Sequence, residues 1–275
     1  MKKAEAARAR AEVVASAATE ETRKAIQAQE EAERRLKECI RPAVTPSLEE
    51  LAAAKRRIQY REDCFRLAVT GICGSGTSSL VNAFRGLRNR DAGAAAVGVT
   101  ETTLQMARYP DANPESAFVW YDFPGASTIK CRDWQYFNDQ GFYVLDCIIV
   151  LFNNRFTMTD IAILVNARRF NIPTYMVHSK ADLCIRDVMA DMGCDDDEDD
   201  DDEDVERRDK VYKTARKQFI EETRKSVQAN LEDAKLPDQR VYIVSNSTLL
   251  SIVLHKMSTR MIDEVDLLNQ VYSRR

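Results

Sequence analysis

The stretch Gly71-Ile72-Cys73-Gly74-Ser75-Gly76-Thr77-Ser78-Ser79 decides how the rest of the chain is read. An apolar run, Cys64 to Thr70, precedes it and predicts a strand; a second, Leu80 to Leu87, follows and predicts a helix. A glycine-rich turn between strand and helix is the setting of a phosphate-binding P-loop, G-x-x-x-x-G-K-[ST], whose backbone N–H groups and helix N-terminus face an anion. Gly71 and Gly76 occupy the two glycine positions and Ser78 the hydroxyl that ligates Mg²⁺, with Gly74, Ser75 and Ser79 lining the turn. The lysine of the pattern is missing, and Thr77 stands in its place.

Downstream of this turn, strands and helices alternate, which predicts a parallel or mixed sheet covered on both faces. Strands are expected at 64–70, 103–108, 117–122, 146–152, 173–178 and 240–245, the second and third close enough to form an antiparallel hairpin. Helices are expected at 78–87, 132–141, 158–170, 181–190, 206–233 and 247–256, with a further one over 258–272. Upstream, residues 1–41 read as one long Ala-rich charged helix, ended by Pro42 and Pro46. A seven-residue register puts Ala4, Ala11, Ala18, Ala25, Ala32 and Cys39 on one seam, yet alanine buries little area. A solvated helix, a weak coiled coil and a membrane-surface helix all remain open for it. Ser47-Leu48-Glu49-Glu50 is a capping box opening a second helix within 42–63, with Leu48, Leu51, Ala54 and Ile58 on one face.

The 275 residues suffice for one full α/β domain with an appendage. Asp195 to Asp204 are ten consecutive acids, so the net charge of −4 becomes +6 once they are set aside. Such a tract repels itself and predicts a disordered acidic insertion over 192–205 rather than a metal loop. The global charge therefore reports on one tract, and no nucleic-acid partner is expected. Seven cysteines without a C-x-x-C pair read as reduced thiols, not a disulfide framework or zinc site. No apolar segment at the start resembles a secretory signal, and the longest fully apolar run, Cys147 to Phe152, is too short for a membrane span. A cytoplasmic location is expected.

Further motifs follow the turn in order. Phe118-Val119-Trp120-Tyr121 is an apolar strand ending in Asp122-Phe123-Pro124-Gly125, a D-x-x-G whose carboxylate holds Mg²⁺ through water and whose Gly125 amide meets a γ-phosphate. The Gly- and Ala-rich Gly93 to Thr103 has the position of a first switch loop, with Thr100 as a second Mg²⁺ ligand. Ser179-Lys180-Ala181-Asp182 follows a strand and approximates N/T-K-x-D: the Asp182 carboxylate accepts from the guanine N1–H and amino group, and the Lys180 stem crosses the ring. Ser245-Asn246, after the last strand, supplies a small polar pair against the base carbonyl. Together these predict an α/β P-loop NTPase fold of the Ras-like G-domain type: a mixed, mostly parallel six-stranded sheet flanked by helices, with an N-terminal helical extension. The ligands expected are GTP/GDP and Mg²⁺, the metal being held by Ser78, Thr100 and Asp122.

At this level of detail the chain resembles the immunity-related, interferon-inducible GTPases. Gly93-Ala94-Ala95 with Gly98-Val99 is similar to that family's first switch, and Arg155-Phe156 with Asp160 to its R-F-x-x-x-D segment. The Ser245-Asn246 ending also matches. The resemblance covers residues 45 to 256 and sets an IRG-type G domain at 64–257, leaving 258–275 as a shortened C-terminal helix. It implies guanine-nucleotide binding, slow hydrolysis enhanced by homodimerisation through the nucleotide faces, and peripheral contact with intracellular membranes. Ala126, after D-x-x-G, cannot orient water as a glutamine does. Two functional readings remain open: a GTPase with weak or assembly-dependent hydrolysis, and a catalytically inactive pseudo-GTPase serving as an interaction module.

Overall fold

The computed structural model describes residues 22–24, 45–98, 105–125, 133–152, 156–194, 202–256 and 258–274. Six strands form one sheet: β1 (Phe65–Gly71), β2 (Ala107–Pro110), β3 (Phe118–Asp122), β4 (Cys147–Phe152), β5 (Thr174–His178) and β6 (Val241–Ile243). Their spatial order is β2-β3-β1-β4-β5-β6. All neighbours run parallel except β2, which pairs antiparallel with β3 through Ala107 opposite Asp122 and Tyr109 opposite Trp120. The expected hairpin and the mixed sheet are thus both present.

The helices are α1 (Leu48–Arg57), α2 (Thr77–Phe84), α3 (Asp133–Asp139), α4 (Met158–Arg169), α5 (Ala181–Asp191), α6 (Asp202–Asp233), α7 (Asn246–Val253) and α8 (Glu264–Tyr272), with a 3₁₀ turn at Phe142–Val144. Both faces of the central strands are buried, so these strands read as unbroken apolar runs whose alternate residues serve different cores. Along β4, Ile148, Val150 and Phe152 pack with Ala54, Ile58, Phe137, Phe142 and Leu164 beneath α1, α3 and α4. Cys147, Ile149 and Leu151 face Leu80, Phe84, Leu249 and Leu267 under α2, α7 and α8. A smaller cluster, Ile185, Ala215, Phe219 and Ile243, seats α5 and α6 against β6. Each fully buried large side chain contributes roughly 1.5–3 kcal/mol, so the two faces dominate the stability and fix β1 between them.

Several boundaries differ from the sequence reading. The α1 capping box is present, with Ser47 Oγ accepting from the Glu50 N–H and the Glu50 carboxylate accepting from the Ser47 N–H. Leu48, however, is exposed, because the first helical residue lies ahead of the face that reaches the core, whereas Ala54 and Ile58 are buried. α1 stops at Arg57, where Gln59 takes a φ of 53°. The second strand starts at Ala107, not 103, and is exposed at Pro110 on the sheet edge. The long helix begins at Asp202, inside the acidic run, where acids suit the positive end of a helix dipole. At the other side of that run Cys194 is buried; of the insertion expected over 192–205, residues 195–201 lie outside the described residues. The C-terminal helix begins at Glu264 rather than 258, and its Leu267, Leu268 and Val271 belong to the same core as β1 and β4. Of the N-terminal helix, only Thr22–Lys24 are described, and they are helical; the rest of 1–41 lies outside the described residues. None of the described helices is long and apolar enough to cross a membrane.

Candidate functional site

At the C-terminal end of β1 the chain turns through Ile72–Gly76 into α2. Gly71 is required by crowding: a Cβ there would lie 2.2 Å from the Leu151 carbonyl oxygen of β4. Gly76 caps α2 with a φ of 92°, a conformation L side chains resist, and Gly74 has a φ of 78°. The turn therefore delivers the N-terminus of α2, with Thr77 as its first residue, to the C-terminal end of the parallel strands, and a helix N-terminus favours an anion. Ser75 is fully buried, and its Oγ makes no hydrogen bond with the described residues.

The D-x-x-G segment lies against this turn. A Cβ on Gly125 would come within 2.8 Å of the Cys73 backbone nitrogen, so only glycine permits the approach. The segment is held from behind by Tyr136, whose hydroxyl donates to the Pro124 carbonyl at 2.6 Å and accepts from the Thr70 hydroxyl at 3.0 Å. Ser78 Oγ donates to the Asp122 carboxylate at 2.5 Å, with both residues buried. One hydroxyl and one carboxylate in contact form a hard-oxygen pair of the kind Mg²⁺ takes together with water and phosphate oxygens. Ser79 faces elsewhere, accepting from Asn89 at 3.2 Å. Thr100 and Ala126 lie outside the described residues, as does Arg155.

More than a hundred residues further along, β5 ends beside the same turn. Lys180 adopts a left-handed backbone, φ 61°, and its Nζ donates to the Gly74 carbonyl at 2.6 Å. Ser179 is buried, and its hydroxyl donates to the Ser75 carbonyl. Seen from Gly76, a Cβ would stand 3.5 Å from Asn246 Nδ2, 3.7 Å from Lys180 Cε and 3.8 Å from Ser179 Oγ. Three sequence motifs thus meet around one glycine. The Asn246 side-chain oxygen, like Ser75 Oγ, is buried and makes no hydrogen bond with the described residues. Two buried polar atoms at the meeting point, without a partner among the described residues, fit a cleft in which a polar ligand completes their hydrogen bonds. Asp182, in the first turn of α5, is exposed and lines with Ser245 a cavity of about 920 Å³ that runs between α5 and α6.

Two buried polar residues support this arrangement without belonging to any motif. Asn82 of α2 exchanges two hydrogen bonds with Ala95, accepting its N–H at 2.6 Å and donating to its carbonyl at 2.9 Å. It thereby ties the Gly93–Gly98 segment to the helix that follows the phosphate turn. An asparagine within the otherwise apolar run Leu80 to Phe84 was the only sequence signal for it. His178 is 3% exposed, its ring edge-on to Phe152 at 5.3 Å and Phe219 at 5.2 Å, and burial holds its imidazole below the usual range. It immediately precedes Ser179, so its packing fixes where β5 releases the base-side loop.

Comparison with known proteins identifies the family. The sequence model of the family described as Interferon-inducible GTPase (IIGP) matches residues 48–271. Mouse interferon-inducible GTPase 1 is 34% identical over 116 residues, 42% of this chain and 28% of that protein. Rat interferon-inducible GTPase 5 is 29% identical over 180 residues, 66% of this chain and 35% of that protein. Mouse T-cell-specific guanine nucleotide triphosphate-binding protein 2 is 23% identical over 199 residues, 72% and 43% respectively. The chain therefore spans less than half the length of these relatives. Among solved structures, a bacterial dynamin GTPase, LeoA from ETEC, has a TM-score of 0.47 at 13% identity, covering 88% of this chain and 40% of that one. Toc33 from Arabidopsis thaliana, in complex with Mg²⁺ and GMPPNP, has a TM-score of 0.41 at 16% identity, covering 86% and 95%. With a family match running from the first turn of α1 to the last turn of α8, this chain belongs to the interferon-inducible GTPase family.

Proposed function

We propose that the chain binds guanine nucleotide, with Mg²⁺, and that its hydrolysis of GTP is weak because Thr77 replaces the P-loop lysine. The observation that carries this reading is the convergence of Ser179, Lys180 and Asn246, from two separate motifs, on Gly76 of a third, each within 3.8 Å of where a Cβ on that glycine would stand. The phosphates lie along Gly71–Ser79, against backbone N–H groups and the N-terminus of α2. The base lies against Lys180, with Asp182 accepting its N1–H and amino protons and Ser245-Asn246 meeting its carbonyl. Adenine offers a reversed pattern of donor and acceptor on that edge. Ser78 and Asp122 would hold Mg²⁺, with Thr100 the further ligand expected from the sequence, and the metal when bound would neutralise charge on the phosphate oxygens.

Thr77 gives at most one neutral hydrogen bond where lysine gives a charge-assisted one. The difference is on the order of 1–3 kcal/mol in ground-state binding. It is larger where charge develops in the transition state. A second reading, a catalytically inactive pseudo-GTPase acting as a protein-interaction module, is favoured by the same residue. Titration with fluorescent GDP, GTP and ATP analogues, with and without Mg²⁺, tests the reading. Guanine nucleotides bind and ATP does not, and Mg²⁺ tightens GTP; the absence of guanine binding below millimolar concentration sinks the proposal. A hydrolysis assay across protein concentrations then separates the two readings, since a rate per chain that rises with concentration marks assembly through the nucleotide face. No turnover at any concentration favours the pseudo-GTPase.

A further inference from the structure

Strand β6 is the last strand of the sheet and pairs with β5 along one edge only. An open edge leaves alternate backbone N–H groups unpaired. Here two consecutive acids at the start of α8 take them. The Asp263 carboxylate accepts from the Ile243 N–H at 3.0 Å, and its own N–H donates to the Ile243 carbonyl at 3.2 Å. One step along, the Glu264 carboxylate accepts from the Ser245 N–H at 2.9 Å through one oxygen and from the Ile262 N–H at 2.6 Å through the other. Between them, the Val244 N–H points the other way and donates to His178. The alternation is that of a strand, with carboxylates standing where a seventh strand would be.

The two acids differ in what they cost. Asp263 is paired with Arg224 and Arg240, whose guanidiniums lie 3.1 and 2.9 Å away. Glu264 is fully buried, and among the described residues no cation is paired with it in a salt bridge. A carboxylate in such a place loses its hydration and is expensive unless its lone pairs are used. Both Glu264 oxygens are used, on backbone N–H groups, and one of these belongs to Ser245. Asp263 is the N-cap of α8 but makes no side-chain capping bond, so the helix start serves the strand before it serves itself.

We propose that Glu264 is a positioning residue for the base-side loop, holding the Ser245 backbone so that Asn246 stands beside Gly76 and the guanine carbonyl. This rests on the guanine-binding reading above. It makes α8, which contains none of the nucleotide motifs, part of what sets base selectivity. Loss of the carboxylate frees the Ser245 N–H and loosens the loop. It leaves the phosphate turn, anchored on β1 and α2, as it was. The effect falls on recognition of the base rather than on binding of the phosphates.

The test uses the full chain, with GDP and ADP as probes and amide exchange of Ser245 as a second readout. Glu264→Ala is expected to weaken GDP roughly tenfold, as for a buried hydrogen bond left unmade. Glu264→Gln, which keeps the volume and one acceptor, weakens it by an intermediate amount, and it decides the matter if Glu264→Ala does not fold. ADP affinity changes by less than about twofold in either, so the GDP-to-ADP ratio falls while the Ser245 amide exchanges faster. Leu268→Ala, which loosens the same helix without touching the loop, lowers stability and leaves the ratio unchanged. An unchanged ratio or an unchanged Ser245 exchange rate in Glu264→Gln overturns the inference. Failure of the wild-type chain to bind GDP at all overturns the guanine reading itself, and is seen before any variant is made.

Discussion

Thr77 lacks the one positive charge that the P-loop pattern places at its position. The residue opens α2 at the phosphate turn, where the helix N-terminus and the surrounding amides already favour an anion, so binding does not depend on the lysine alone. Thr77→Lys is expected to tighten GTP by about tenfold or more, the increment of a charge-assisted over a neutral hydrogen bond. An unchanged dissociation constant in equilibrium titration means the turn is not aimed at phosphate. His178 supports a second prediction of the same scale. Burial holds its imidazole below the ordinary value near 6.5, so the unfolded chain takes up a proton before the folded one does. Its contribution to stability is therefore complete above about pH 6.5 and is lost as the pH falls through the lower folded value, at up to about 1.4 kcal/mol per pH unit. Urea midpoints at pH 7.5 and 5.5 should differ less in His178→Phe than in the wild type. An equal difference in the two proteins places the acid sensitivity elsewhere.

The elements show which parts of the design are visible in a sequence. The phosphate turn, D-x-x-G and Ser-Lys-x-Asp are legible because each needs particular residue types in a short window; Gly125 of D-x-x-G packs on Cys73 of the turn, and Ser179 and Lys180 stand beside Gly76. The central strands are legible because a strand covered on both faces has no polar residues to break it, as in Cys147–Phe152. Asn82 and Glu264 were not read, because what they bind, Ala95 and Ser245, is chosen by the fold and not by spacing. The last helix is expected from the sequence but its place is not: its polar and apolar residues look alike whether it stands apart or closes the sheet, and only packing decides. Since Leu267 is fully buried among residues of β1, β4 and α2, Leu267→Ala should cost about 2–4 kcal/mol in chemical denaturation. A loss below about 1 kcal/mol is what a detachable helix gives.

For the molecule as a whole, a nucleotide held by loops from β1, β3, β5 and β6 ties together four strands of one sheet, so binding should register as global stability. A ligand that binds only the folded state at a hundred times its dissociation constant adds about 2.7 kcal/mol. For a domain of this size each kcal/mol raises the melting temperature by about 2–4 °C, giving an upward shift of about 5–10 °C with saturating GDP and Mg²⁺. The identity of the nucleotide carries the discrimination. Phosphate contacts are common to GDP and ADP, whereas in the proposed reading Asp182 and Ser245-Asn246 act only on the base. A large shift with GDP and a small one with ADP in differential scanning calorimetry separates base reading from mere anion binding. Equal shifts with the two diphosphates remove the assignment of Asp182, and a matching shift with pyrophosphate reduces the site to its phosphate turn.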